Sequence, residues 1–574
     1  MSSFSLSESS FEQLTQSIEW SNRQLRYNRK RRVQAVKEYV GFNYAQNGAV
    51  KRVPTPFLKL AVSIYVRQLS PGVPRAMFTT PIPSFKATSA DFELAVNLIP
   101  DEIGLQNTFR KIVTESLFFM GIAKCGLHAA GKMLDHSIGE SFVDSITADD
   151  LVLDMSAKDM DVIQYVGNDY WMDLDEVKGN DYYRFGKNVK LLEADPYNMQ
   201  LQTEEGEDRA ETVTVNESVE LYRPKVFLRD VWLPDEEVVV TYAVSGKKIL
   251  NIVEWEGPRI GPYIFLGYDF VPGNLLPFPP VAAWLDLHVL ANSLFRKLGD
   301  QADAQKTIPA FSGGDDEGAK AFKNARDGEG INYTGVPPIN LKTGGVDATT
   351  LGFYNQCREL FSYFGGNLDS MGGLGAQTET VGQDRLIAAA SSAQVKGMVD
   401  KVSQFSKEIF SSLAFYEWND PMSSRMLEKK IPGTDLSMNV PWSETTKSGE
   451  FNDFVLSIDV YSLQDQSPLM KLEKLKMFIA EFVLPFMPAI EQSGGVLGVQ
   501  EVLQLAARFS GLPEAADIVH WTQTDTSKTG FNQAGKAAGA TGGGGNAPQP
   551  MPSNESAFST EVPAARPGGE NLVQ

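Results

Sequence analysis

Three prolines within four positions, Pro277, Pro279 and Pro280, cut the chain where its character changes. A proline ring removes a backbone donor and clashes with the preceding turn, so neither a helix interior nor a central strand can hold such a run. On the N-terminal side, from Ser141 to Gly267, the pattern is one of short β-rich segments. They are Phe142–Ile146, Leu151–Leu153, Val213–Leu221 and Val226–Trp232, then Val238–Val244 and Ile249–Trp255 around Ser245-Gly246-Lys247, which reads as a hairpin turn. On the C-terminal side the pattern is helical from Val281 to about Ala304. There Leu285, Val289 and Leu298 share a stripe, and Asp286, Arg296, Lys297, Asp300 and Asp303 supply the polar faces.

The segments around this break extend the same contrast. A long helix is expected from Ser9 to about Tyr44, with Ser9 and Glu12 at capping-box spacing. Its middle carries Arg23, Arg26, Arg29, Lys30, Arg31, Arg32 and Lys37, either a contact for DNA or an acidic neighbour, or an ordinary solvated face. Further helices are expected over Phe57–Leu69, Ala90–Leu98 and Leu105–Met120. Lys306–Gly345 is rich in Gly and Asp, with a helical stretch at Ala319–Ala325 and a strand at Gly330–Tyr333. A second helix covers Asp347–Phe364. A long helix follows from Glu379 to Trp418, with Val395, Val399, Val402, Phe405, Ile409 and Leu413 three and four apart. Phe451–Val460 reads as a strand. Ser467 caps a helix with Pro468 at its first position, and a shorter helix covers Val499–Phe509. From Ser527 onward the Gly-, Ala-, Pro- and Ser-rich sequence is expected to be disordered. Mixed helices and strands in separate blocks give an α+β class, and 574 residues suggest about four domains or a single elaborate fold of several modules.

Composition excludes more than it assigns. Two cysteines, Cys125 and Cys357, cannot make a disulfide framework or a cysteine-built zinc site. The four histidines have no metal-ligand spacing, and no metal or cofactor is expected. A formal charge of −20 argues against a conventional nucleic-acid binder, whose basic face would release counterions from phosphates. Met1–Ser10 is polar, so no signal peptide is expected. The most apolar runs fall short of the ~20 residues a spanning helix needs, so no membrane partner is expected.

Six glycines fall between Gly365 and Gly382. No Lys-Ser/Thr follows them and no β-α-β unit surrounds them, so neither a phosphate loop nor a dinucleotide fingerprint is present, and a flexible loop is expected. Asp173 and Asp175 have no third ligand and are read as loop carboxylates rather than a metal pair, and Glu204, Glu205, Glu207 and Asp208 mark an acidic loop. There is no G-x-S-x-G, complete Walker A or C-x-x-C sequence. No enzymatic activity and no catalytic residue are expected.

The order of segments carries a resemblance. A helical N-terminal region leads through Phe109–Leu127 to a strand-rich module containing DSITADDLVLD, Asp144–Asp154. After PFPPVAAWLDLHVLANSLFRKLGDQADAQKTIPAF come a small insert, a helix, a glycine loop and QDRLIAAASSAQVKGMVDKVSQFSKEIFSSL. Over residues 57–513 this resembles the portal proteins (head–tail connectors) of tailed bacteriophages, of the short-tailed kind. The resemblance implies a ring of twelve copies at one vertex of the capsid. Double-stranded DNA would pass through it without sequence specificity during packaging and ejection. Residues 1–277 would form the wing, 278–304 and 347–364 the stem helices and 305–346 the clip between them. Residues 365–382 would be the tunnel loop, 383–462 the long helix and the return to the wing, 463–524 a helical crown and 525–574 a disordered tail.

The resemblance further implies that the clip meets the terminase motor and later the tail adaptor, and that the wing meets capsid and scaffolding proteins. The subunit would be made in the host cytoplasm and end in the virion. Gly366, Asn367, Asp369, Gly372, Gly373, Gln377, Thr378 and Glu379 would face DNA from the tunnel loop. By their own pattern Lys396, Lys401 and Lys407 on the following helix read either as weak, sliding contacts or as ordinary surface lysines. Another virion core, tail or scaffold protein would share the acidic, motif-poor composition without a closed ring.

Overall fold

The structure, a computed structural model, describes residues 6–41, 55–128, 140–180, 182–196, 222–311, 316–326, 339–371, 381–420, 424–430, 437–459, 475–477, 479–483 and 485–486. The chain divides into two units, 1–471 and 472–574. In the second, the described residues include a π-helical turn at Ile479–Val483. The helices expected from Ser467 and over Val499–Phe509, the strand expected at Val213–Leu221, the acidic loop and the tail lie wholly or largely outside the described residues.

The first unit is α+β. Helix α1 (Glu8–Val40) is capped by Ser7, not Ser9: Ser7 is extended, and its hydroxyl accepts the Ser10 amide at 3.1 Å. Ser9 therefore sits inside the first turn and cannot serve as the cap. Phe11, Ile18, Leu25 and Val33 recur every seven or eight residues and are buried, as one helical face requires. Because α1 is long, this stripe enters separate apolar clusters: Phe11 and Ile18 meet Val152 and Tyr242, while Leu25 meets Ile122 and Leu151. Part of the basic run is consumed in docking. Arg29 donates to the carbonyls of Ala148 (2.9 Å) and Leu151 (2.7 Å). Arg32, 5% exposed, pairs with Glu115.

Helices α2 (Phe57–Leu69), α3 (Lys86–Glu102) and α4 (Leu105–Phe118) contribute apolar faces to the main core. Between α2 and α3, strand β1 (Arg75–Thr79) pairs antiparallel with β14 (Val455–Asp459). The opposite edge of β1 is closed by side chains of α3. Asn97 accepts the Ala76 amide (3.0 Å) and donates to the Ala76 carbonyl (2.8 Å), while Glu93 and Ser89 do the same for the amide and carbonyl of Phe78.

Strands β2 (Gly121–Leu127), β3 (Ser141–Ser145) and β9 (Tyr263–Leu266) form a sheet in the order β3-β2-β9. A second, wholly antiparallel sheet has the order β4-β5-β6-β7-β8, with β4 (Leu151–Leu153), β5 (Val166–Asp173), β6 (Lys225–Leu233), β7 (Val238–Ala243) and β8 (Lys248–Glu254). The turn between β7 and β8 uses left-handed backbone at Gly246 (φ 78°) and Lys247 (φ 48°). Gly167 lets β5 approach β6 closely, because a Cβ there would overlap the Asp230 carbonyl. Short helices α5 (Leu174–Gly179) and α6 (Gly186–Lys190) follow β5. Asp173 ends β5 and pairs with Arg223 at 3.2 Å, and Asp175 lies in the first turn of α5, so neither is the loop carboxylate expected.

After the prolines come α7 (Pro280–Asp303), β10 (Lys306–Ala310), α8 (Asp316–Asn324), β11 (Ile339–Thr343) and α9 (Ala348–Phe364). The strand expected at Gly330–Tyr333 lies outside the described residues. The strand that pairs with β10 is β11. A short helix α10 (Leu368–Met371) precedes the long α11 (Val381–Asn419), whose Val402, Phe405, Ile409 and Leu413 are buried in the main core. The hairpin β12 (Arg425–Lys430) and β13 (Ser437–Trp442) then leads to β14. Lys447 closes the end of α11, donating to the carbonyls of Glu417 (2.9 Å) and Trp418 (2.8 Å).

Candidate functional site

The chain runs out along α7, through β10, α8 and β11, and back along α9, making an arm. Proline sets its start: Pro280 occupies the first helical position, where its missing donor costs nothing. Asp347 sets the return. Its carboxylate accepts the amides of Thr349 and Thr350 and both hydroxyls, and these bonds, the Thr349 hydroxyl first, hold it far below the ordinary carboxylate range. The two helices meet through Ala291, Leu298, Tyr354 and Cys357. At the far end β10 and β11 pair from Lys306–Thr343 to Ala310–Ile339.

What the arm leaves uncovered matters more than what it buries. Leu290 and Phe295 on α7, Ile308 on β10, Phe322 on α8, and Ile339 and Leu341 on β11 are all exposed. So are Leu351, Phe353, Leu360, Tyr363 and Phe364 on α9. Isolated exposed apolar residues are ordinary, but a concentration along one projecting element marks a surface that is covered in use.

Both feet of the arm stand on α2 and the residues before it. On the α7 side, Asn292 accepts the amide and hydroxyl of Thr55 (3.0 and 2.9 Å) and donates to the Thr55 carbonyl (3.2 Å). His288, fully buried, lies one turn earlier, 3.6 Å from the Glu38 carboxylate. Tyr65 of α2 serves both feet. Its ring lies 5.1 Å from that of Trp284 in α7, and its hydroxyl donates to the Gly365 carbonyl at the end of α9 (3.0 Å). Burial pushes this hydroxyl up to about 12.

The glycine segment begins as a packed turn. Gly366 (φ 78°) and Asn367 (φ 58°) are left-handed, and their amides return to the carbonyls of Tyr363 (3.1 Å) and Ser362 (2.8 Å). Ser362 donates to Asp369 at 3.1 Å, and Leu368 is 3% exposed. Gly365 leaves room for Leu368 here, since a Cβ would lie 2.7 Å from Leu368 Cδ1 and the leucine side chain would have to shift. Of the residues expected to face a channel, Gly366, Asn367 and Asp369 thus occupy this turn, while Gly372, Gly373, Gln377, Thr378 and Glu379 lie outside the described residues. Lys396, Lys401 and Lys407 are exposed on α11. At 3.6 residues per turn Lys396 and Lys407 share a face, and Lys401 lies well round from it.

A second constellation was not foreseen from sequence. A crevice of about 1400 Å³ opens between α4, the three-stranded sheet and the five-stranded sheet, and its floor is a polar bolt joining the sheets. Lys124 of β2 donates to Asp230 of β6 (2.7 Å) and Asn168 of β5 (2.9 Å), and Tyr263 of β9 donates to the same Asn168 oxygen (2.7 Å). Tyr170 and Thr241 also donate to Asp230. Burial alone would push the Lys124 ammonium down, but Asp230 beside it holds the proton and the net direction is upward. Arg229 grips Asp169 with two bonds next door. Every charge named here is paired, so these side chains fasten the two sheets to one another. The only sequence signal was a polar Asn-Asp pair inside an otherwise strand-like run.

Among the described residues no group of three or more His, Cys, Asp or Glu could hold a metal ion, and no helix is long and apolar enough to cross a membrane. No known protein family and no curated protein matches the chain.

Proposed function

We propose that the chain is the subunit of a tailed-phage portal, a ring of about twelve copies that conducts DNA into and out of the capsid. The observation that carries this reading is the arm, whose two helices and tip strands hold apolar side chains that this chain alone leaves exposed. A head-to-tail contact, in which one flank of the arm meets the opposite flank of the next copy, covers both flanks and closes into a ring when the rotation closes. The acidic composition supports the same reading, because a net charge of −20 disfavours tight capture of a passing phosphate backbone. On this reading α7 and α9 are the stem, and residues 305–346 are the clip that meets the terminase motor and the tail adaptor. Capsid and scaffolding proteins bind the wing, and the protein is a conduit rather than a catalyst.

Electron microscopy of the purified full-length protein tests it. End-on class averages of closed rings with a central hole support the portal. Filaments or solid particles overturn it in favour of a core or scaffold protein. A species that stays monomeric at high concentration, with scaffolding protein present, overturns it as well.

A further inference from the structure

We infer that Tyr65 is a positioning residue that locks the two feet of the arm and the Gly365–Met371 turn to α2, so that all three move as one unit. The inference does not depend on the ring reading. Its basis is that one side chain touches both ends of an excursion of some eighty residues: Trp284 in the first turns of α7 and the carbonyl of Gly365 where α9 ends. Tyr65 is itself fully buried and sits on a helix whose Leu58, Ala61, Val62 and Leu69 are anchored in the main core. The bond to Gly365 is made where a helix normally leaves its last carbonyls unpaired. A tyrosine from another element here replaces water as their partner, and breaking that bond strands a buried carbonyl.

The turn beyond it is held by local bonds of its own, from Gly366 to Tyr363, Asn367 to Ser362 and Ser362 to Asp369. These close the turn on α9 but do not reach α2. The described polar tie between the α9 foot and α2 is the Tyr65 hydroxyl, with Leu368 packing beneath it.

Amide hydrogen exchange on the full-length protein tests this with Tyr65→Phe, which removes the hydroxyl and keeps the ring. Losing one buried bond is expected to accelerate exchange in peptides over 362–371 by about tenfold, and to accelerate 281–288 with them, while 112–118 stays within about twofold of wild type. Unchanged exchange at 362–371 overturns the inference, and so does loosening there with 281–288 unaffected. Ser362→Ala is the control: it is expected to loosen 366–371 alone, and an equal effect on 281–288 overturns the role of Tyr65. If Tyr65→Phe does not fold, Trp284→Leu carries the test from the other foot, with acceleration at 362–371 supporting the coupling and its absence overturning it.

Discussion

Phe92 and Trp442 lie face to face, their ring planes 14° apart and their centroids separated by 5.6 Å. They come from α3 and β13, far apart in sequence, and Trp418 and Phe454 close on Phe92 from two other sides. This aromatic knot joins the N-terminal helices to the end of α11 and the strands that follow it. Phe92→Ala removes its centre and is expected to destabilise the protein by about 3–5 kcal/mol, with Phe92→Leu costing clearly less. Urea denaturation of the two variants checks this, and equal small losses would show that the knot is not a structural centre.

Lys124→Met leaves Asp230 buried with only hydroxyl donors. A loss of about 3 kcal/mol is expected, and the further change Asp230→Asn should recover part of it, because the unpaired charge is then gone. A double variant no better than the single one would contradict the bolt.

Asp150 introduces a pH dependence. Burial, opposed by a hydrogen bond from Thr147 and reinforced by the neighbouring Asp169 and Asp149, raises its carboxyl to about 6. An unfolded aspartate titrates near about 3.9. The folded state therefore holds this proton more tightly, and the stability contributed by the protonated form is present at low pH and lost as pH rises through about 6. Asp150→Asn should thus stabilise the protein at pH 7–8 by about 1–2 kcal/mol, after allowing for partial exposure, and change little near pH 4. Thermal melts across this range decide it, and a uniform shift at all pH values would count against the assignment.

Leu351→Asp with Phe353→Asp places charge on both exposed flanks of α9, since residues two apart on a helix lie on opposite sides of it. On the portal reading rings should fall apart into folded monomers in sedimentation velocity, since a desolvated unpaired charge at each contact costs several kcal/mol (about 2–5). Intact rings would show that these flanks are not the contact.

On the portal reading, deleting residues 373–379 should leave rings intact and impair packaging or retention of DNA, whereas deleting 366–371 should disrupt folding, since Leu368 and Met371 pack into the main core. Normal packaging with 373–379 removed would argue strongly against a channel role for the loop.

Legibility followed locality. Pro280 and Asp347 announced the ends of α7 and α9 because proline at a first helical position and aspartate at an N-cap act within one turn. The spacing of Val402, Phe405, Ile409 and Leu413 announced α11 in the same way. Strand β5 did not announce itself, since Asn168 and Asp169 lower strand propensity and are accommodated by partners on β2, β6 and β9. The Gly365–Met371 segment read as a loop because its glycines are permissive. Its own bonds, from Gly366 to Tyr363, Asn367 to Ser362 and Ser362 to Asp369, close it as a turn, and Tyr65, three hundred residues earlier in the chain, bonds the Gly365 carbonyl at its start. The cap at Ser7 was missed by two residues, because several serines in a row offer equivalent starts.

The side chains of α3 that grip Ala76 and Phe78 have a consequence for crowding. Asn97, Glu93 and Ser89 act as a counterfeit strand, so β1 presents no free donors or acceptors to a passing chain on that side. On the portal reading, a subunit that gathers in many copies at one place would risk recruiting its siblings through bare strand edges. With that edge filled from within, growth of the ribbon by stray pairing is halted there, and association is left to surfaces whose geometry can close on itself.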